Sequence, residues 1–186
     1  VNNEEKERKG YIRGELLNVR GRKLVNHLVK AIPNLFTIGN LLCGVFSITF
    51  NMSGYIGIAS IFIFLSAVFD LFDGRVARKL KVNSELGVVL DSLADIVSFG
   101  VAPALIFHSI AAPSILTSLA FILFPTMGAL RLARFSVKPT IGYFKGLPIP
   151  AAGLPLAGMG LFTYTNPWIT ILLAILMVSP IKVKKL

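Results

Sequence analysis

The sequence predicts an all-α integral membrane protein, six transmembrane helices preceded by an interfacial amphipathic helix, and three observations predict it. Apolar residues make up 54% of the 186 positions and charged residues only 15%, with mean hydropathy +0.74, too apolar for an ordinary soluble globule. Residues 31–69, 96–130 and 146–181 carry no Asp, Glu, Lys or Arg, and each block is about twice the ~20 residues that one helix needs to cross a bilayer. Each block also has a polar or breaker cluster near its middle: Asn51-Met52-Ser53-Gly54, His108 to Ser114, and Tyr164-Thr165-Asn166-Pro167. Three uncharged blocks with three central turns read as three helical hairpins.

The elements follow in order. Residues 1–32 form a charged tail ending in a short amphipathic stretch. There Leu24, Val25, Leu28, Val29 and Ile32 share one helical face, opposite Arg22, Lys23, Asn26 and Lys30. That pattern suits a helix lying in the membrane interface. Residues 33–186 form a single membrane domain with spans at roughly 33–51, 54–73, 86–110, 114–135, 148–165 and 167–181, the last being short for a crossing. Lone Cys43 falls mid-span without a partner, which excludes a disulfide or a thiolate metal site.

The cations test this topology independently. Of the 19 Lys and Arg, eight precede residue 31, four lie at 75–81, four at 131–145 and three at 182–185. All fall on one side of the proposed membrane, and the three opposite turns have none. By the positive-inside rule both termini are cytoplasmic at the cell membrane. The net charge of +10 therefore describes a face meeting anionic lipid headgroups, not a nucleic-acid surface.

Nine acids are present. Four are in the tail, and the rest are Asp70, Asp73, Glu85, Asp91 and Asp95. Asp70 and Asp73 are three apart in the second span and Asp91 and Asp95 four apart in the third, so each pair shares a helix face. Packed together, the two helices would bring four carboxylates to one end of the bundle. Bare, each would carry a desolvation cost of roughly several kcal/mol; one or two divalent cations remove it. Carboxylate oxygens without His or Cys point to Mg²⁺, Mn²⁺ or Ca²⁺ rather than zinc. The plainer alternative is salt bridging with Arg75, Arg78 and Lys79, against which stands the functional bias of ionisable residues at membrane depth. Gly74 and Gly87 let backbone approach a ligand or a neighbouring helix, Ala77 keeps the strip shallow, and Arg78 offers a planar fork to phosphate. Carboxylate-held metal beside an arginine suits displacement at phosphorus.

The segment from Asp70 to Asp95 resembles the signature of the CDP-alcohol phosphotransferase family, D-x2-D-G-x2-A-R-x8-G-x3-D-x3-D. Asp70, Asp73, Gly74, Ala77, Arg78, Gly87, Asp91 and Asp95 fill its eight fixed positions, a coincidence on the order of 10⁻¹⁰ per starting position. The resemblance implies two divalent metal ions on Asp70, Asp73 and Asp91, with Asp95 as general base also able to touch a metal. It implies that Gly74, Ala77 and Gly87 admit the cytidine and that Arg78 faces the phosphates. The implied reaction is attack by an alcohol hydroxyl on the lipid-linked phosphorus of a CDP-lipid, releasing CMP.

The signature does not name the alcohol. PNLFTIGNLLCG (33–44), GALRLARF (128–135) and GLPIPAAG (146–153) resemble the phosphatidylserine synthase branch, which implies L-serine as acceptor. Asn34, Thr37 and Asn40 repeat every third residue and form a polar stripe suited to the nucleotide or acceptor pocket, or to interhelical hydrogen bonding. Arg131, Arg134 and Lys145 are candidates for holding the serine carboxylate or lipid phosphates; their alternative is positive-inside anchoring. Pro148 and Pro150 suit a helix N-terminus. Gly153 and Ala157 form a small-xxx-small pair, serving helix packing or a homodimer seam. Two rival functions remain: the same chemistry on glycerol phosphate or inositol phosphate, and a divalent-cation transporter. A transporter has its site near the midplane and no need of Gly74, Arg78 and Gly87.

Overall fold

The computed structural model describes residues 34–80, 85–137, 143–180 and 182–184. The interfacial helix expected before residue 33 lies outside them. Six helices are present in the described residues: α1 (Asn34–Met52), α2 (Ile56–Leu80), α3 (Glu85–Ile110), α4 (Ile115–Val137), α5 (Ile149–Leu161) and α6 (Pro167–Val178). Each overlaps an expected span, though α2 runs on to Leu80, past the expected end at 73, and α5 stops at Leu161, short of 165. Four of them, α1 to α4, are long and apolar enough to cross a membrane. At 1.5 Å per residue, α5 and α6 reach only about 20 Å, short of a hydrocarbon core of roughly 30 Å.

The breaks sit where local chemistry requires them. Gly54 takes φ +83° between α1 and α2, a left-handed conformation that a side chain disfavours. Asn166 caps α6, its side-chain oxygen accepting from the Trp168 N–H at 3.0 Å, and Pro167 occupies the first helical position, where no N–H is needed. Pro148 and Pro150 open α5 as expected. Short connections make successive helices antiparallel, so the start of α1, end of α2, start of α3 and end of α4 share one end of the bundle. Tyr143–Lys145 and Lys182–Lys184 pair as a small antiparallel ribbon, an element the hydropathy pattern did not suggest.

One irregularity matters for the site. In α3, Ile96–Val101 is a π-helical turn that begins directly after Asp95, closed by the Ala102 N–H on the Val97 carbonyl. Pro103 supplies the reason: it has no N–H for the Phe99 carbonyl four residues earlier, and its ring would press on that carbonyl in a regular helix. The extra residue of the π-turn absorbs the conflict.

Without water to drive helices together, close backbone approach through small residues takes over. Gly44 on α1 is seated against Ser98 of the π-turn, and Gly153 on α5 lies against the Phe99 carbonyl; a Cβ on either glycine would collide. The side chain of Ile149 fits between Gly100 on α3 and Gly128 on α4, its Cδ1 3.4 Å and 2.6 Å from where a Cβ would stand on each. Gly153 and Ala157 are both buried within the chain, so this pair serves packing and is not a dimer seam. Phe99, Phe107, Phe124, Ile106 and Leu156 fill the centre, while outward positions such as Leu35, Leu42, Ile61 and Ile122 stay exposed and apolar, as a lipid-facing surface requires.

Candidate active site

Asp70 stands ten residues before the end of α2 and Asp95 ten after the start of α3, each about 15 Å from the connection between them. The hairpin geometry therefore sets the two carboxylates level. One oxygen from each of Asp70, Asp91 and Asp95 lies within 4.8 Å of the others. Asp95 is buried, and Asp70 and Asp91 are half-buried. Three carboxylates in such confinement have the donor chemistry of a hard divalent cation. A second observation favours the same occupant: Asp91 Oδ1 is buried with no hydrogen-bond partner, and an orphaned buried acceptor costs about 1–3 kcal/mol.

Asp73, the fourth expected member, is buried beside the triad and not in it. Its Oδ2 accepts from Thr37 Oγ1 at 3.0 Å. Thr37, expected from the polar stripe on α1, is thus brought to the site. Asn34, the first residue of that stripe, is half-buried at the start of α1.

The deepest residue of the stripe reaches α2 and α3 at once. Asn40 is fully buried and donates through Nδ2 to Asp95 Oδ1 at 3.3 Å. Ser66 on α2 donates to the Asn40 side-chain oxygen and sits 3.3 Å from its backbone carbonyl. Ser98 donates to the same carbonyl at 3.0 Å. Ser66 and Ser98 were not singled out from sequence; serines at membrane depth are too common for spacing to mark them.

The basic candidates separate. Arg131 is buried at the end of α4, close enough to Asp95 to feel its charge, and its Nε has no hydrogen-bond partner. Arg134 is exposed. Arg78 is exposed too, its Nε donating to the Gly74 carbonyl at 3.0 Å. Gly74 faces open space: a Cβ there would meet nothing within 4 Å. Gly87 is half-buried on the first turn of α3. The side chains of Ala77 and Lys145 lie outside the described set. The backbone ahead of α5 is nevertheless anchored, since Leu147 N–H donates to the Leu176 carbonyl at 3.0 Å. Gly146, at φ +77°, lies where a Cβ would strike the Met177 carbonyl.

The arrangement is a carboxylate cluster with the buried Arg131 near enough to Asp95 to feel its charge and with Gly74 on α2 facing open space. The three carboxylates of this site are placed so that they could hold a metal ion.

Known proteins are similar. The family model for CDP-alcohol phosphatidyltransferase matches residues 30–180. A CDP-diacylglycerol–serine O-phosphatidyltransferase of Bacillus subtilis is 42% identical over 161 residues, 81% of this chain and 88% of that protein. One of Methanocaldococcus jannaschii is 40% identical over 157 residues, 83% of this chain and 74% of its own length. An archaetidylserine synthase of Methanothermobacter thermautotrophicus is 35% identical over 161 residues, 82% of this chain and 69% of its length.

Proposed function

This chain belongs to the CDP-alcohol phosphatidyltransferase family, and from that premise we propose that it transfers the phosphatidyl group of a CDP-lipid to the hydroxyl of L-serine and releases CMP. The lipid is CDP-diacylglycerol or its archaeal ether counterpart. The observation that carries the proposal is the Asp70–Asp91–Asp95 cluster with an orphaned carboxylate oxygen on Asp91 and the buried Arg131 close to Asp95, its Nε without a hydrogen-bond partner. Relatives named for serine transfer in a bacterium and an archaeon support the acceptor.

Two divalent cations, Mg²⁺ or Mn²⁺, held by Asp70, Asp73, Asp91 and Asp95, would neutralise the phosphates and the incoming oxygen. The chain's own residues do the rest. The open strip at Gly74, continued by Ala77 and Gly87, admits the cytidine, with Asn34 and Thr37 on α1 as its opposite wall. Arg78 faces the diphosphate. Arg131 receives the serine carboxylate on its guanidinium fork, with Lys145 and Arg134 nearer the lipid phosphates. Asp95 takes the proton of the serine hydroxyl as the new oxygen–phosphorus bond forms; the bond from phosphorus to the CMP oxygen breaks, and CMP leaves.

The site is cytoplasmic in this reading, as are both termini, because all 19 cations lie on its side of the six spans. In this reading α5 and α6 belong to the fifth and sixth spans, at 148–165 and 167–181. The membrane domain runs from 33 to 186, after the tail of 1–32.

Purified protein given labelled CDP-diacylglycerol with serine, glycerol phosphate or inositol phosphate, one at a time, tests the acceptor. Serine alone is expected to yield labelled lipid product with matching CMP. A preference for either phosphate would replace the acceptor and leave the phosphotransfer chemistry intact.

A further inference from the structure

On α1 the Asn40 side chain donates to Asp95, yet Asn40 has no place in the family signature on α2 and α3. Its surroundings define its orientation. A carboxamide has an accepting oxygen and a donating NH₂. The Ser66 hydroxyl donates to the oxygen, so the NH₂ faces Asp95 Oδ1. Flipping the amide would set oxygen against carboxylate oxygen. The Asn40 backbone carbonyl is fixed as well, by Ser98 at 3.0 Å, and Gly44 one turn on lets α1 come close enough for that bond. Asn40 therefore grips α3 on both sides of the point where the π-turn begins: Asp95 just before it, Ser98 within it. A π-turn changes the angular register of a helix and is frequent at functional sites.

We infer that Asn40 is a positioning residue, with its amide, set by Ser66, aiming the Asp95 carboxylate into the cluster with Asp70 and Asp91. The inference rests on the proposed metal-dependent reading of that cluster. Partners that orient a ligating carboxylate typically alter metal affinity or activity by about 10- to 100-fold when removed. Their loss need not unfold the protein.

The test compares Asn40→Ala with Asn51→Ala in purified full-length protein. Asn51 is a matched control: it too is buried on α1 and donates to α3, at Ser109 2.8 Å away, but at the opposite end of the bundle. Two quantities are read for each protein: the rise in Tm on titration with Mn²⁺, which needs no turnover, and the Mn²⁺ concentration giving half-maximal CMP release. Asn40→Ala is expected to shift both midpoints upward by about 10- to 100-fold, with KM for CDP-lipid changed less than kcat. Asn51→Ala is expected to lower the metal-free Tm and leave both midpoints in place. Ser66→Ala, which frees the amide to turn but keeps it, should move them the same way by about 3- to 10-fold, the size of one ordinary hydrogen bond, and serves if Asn40→Ala does not fold. Wild-type midpoints in Asn40→Ala, or in Ser66→Ala where that variant alone folds, overturn the inference. So does an equal shift in Asn51→Ala, which would reduce the effect to general loosening. A wild-type protein whose Tm ignores Mn²⁺ and whose CMP release needs no metal would instead overturn the metal-dependent reading itself, a distinguishable result.

Discussion

Replacing Arg131 by Lys isolates the recognition of serine. The residue is buried with its Nε lacking a partner, and its guanidinium feels the charge of Asp95. Lysine keeps the positive charge and the topology it supports, but it is a point donor on a flexible stem and cannot make two parallel bonds to a carboxylate. A hydrogen bond to a charged group contributes about 1.5–3 kcal/mol, which converts to roughly 10- to 150-fold. Arg131→Lys should therefore lower kcat/KM for serine by that factor, mainly through KM, with the KM for CDP-lipid within a few-fold of wild type. Arg134→Lys, at an exposed position, should stay within about two-fold, in the range of surface substitutions. Initial rates of CMP release at varied serine and saturating CDP-lipid, then the reverse, give both constants. An unchanged serine KM in Arg131→Lys, or an equal rise for CDP-lipid, would refute the assignment of Arg131 to the amino acid.

Three further outcomes are expected. Asp91→Asn should abolish turnover while the protein still inserts, because the orphaned oxygen is lost as a ligand; near wild-type rates at saturating Mg²⁺ or Mn²⁺ would remove Asp91 from the metal site. Asp95→Asn should cut kcat by at least about 10²-fold, the lower range for loss of a general base, with CMP binding by calorimetry within a few-fold of normal. A loss of nucleotide binding as large as that in Asp91→Asn would make Asp95 chiefly a ligand. Gly74→Ala and Gly153→Ala should behave oppositely: the first meets open space and gains about 0.5–1 kcal/mol of helix propensity while raising KM for CDP-lipid. The second drives a Cβ into the Phe99 carbonyl and should lower stability by about 1–3 kcal/mol, both read from Tm and steady-state rates.

Much of this was legible because charge in a membrane chain is sparse. Spacings of three between Asp70 and Asp73 and four between Asp91 and Asp95 sufficed to put the pairs on helix faces and the faces at one end of a hairpin. Spacing along α2 could not reveal that Asp73 turns to Thr37 while Asp70 turns to α3, since that depends on which side of α2 receives α1. The same limit hid the difference between Arg131 and Arg134, three residues apart on one helix and yet one buried and one exposed. Asn40 stood in a visible polar stripe, but its link to Asp95 passes between helices 55 residues apart in sequence. The π-turn did leave a local sign, Pro103 inside an uninterrupted apolar run, a proline that a regular helix accommodates poorly. The glycine pattern in GALRLARF and GLPIPAAG has a packing cause in Gly128, Ile149 and Gly153, so those segments report architecture.

The central claim is that Asp70, Asp91 and Asp95 form the metal-binding heart of the enzyme. Mn²⁺ binding followed by electron paramagnetic resonance on the purified protein with CMP tests it most directly. Two bound ions per chain are predicted for the wild type, both weakened or lost in Asp91→Asn, with serine-dependent CMP release vanishing in chelator and returning with added Mn²⁺. No bound Mn²⁺, together with undiminished CMP release in excess chelator, would contradict it.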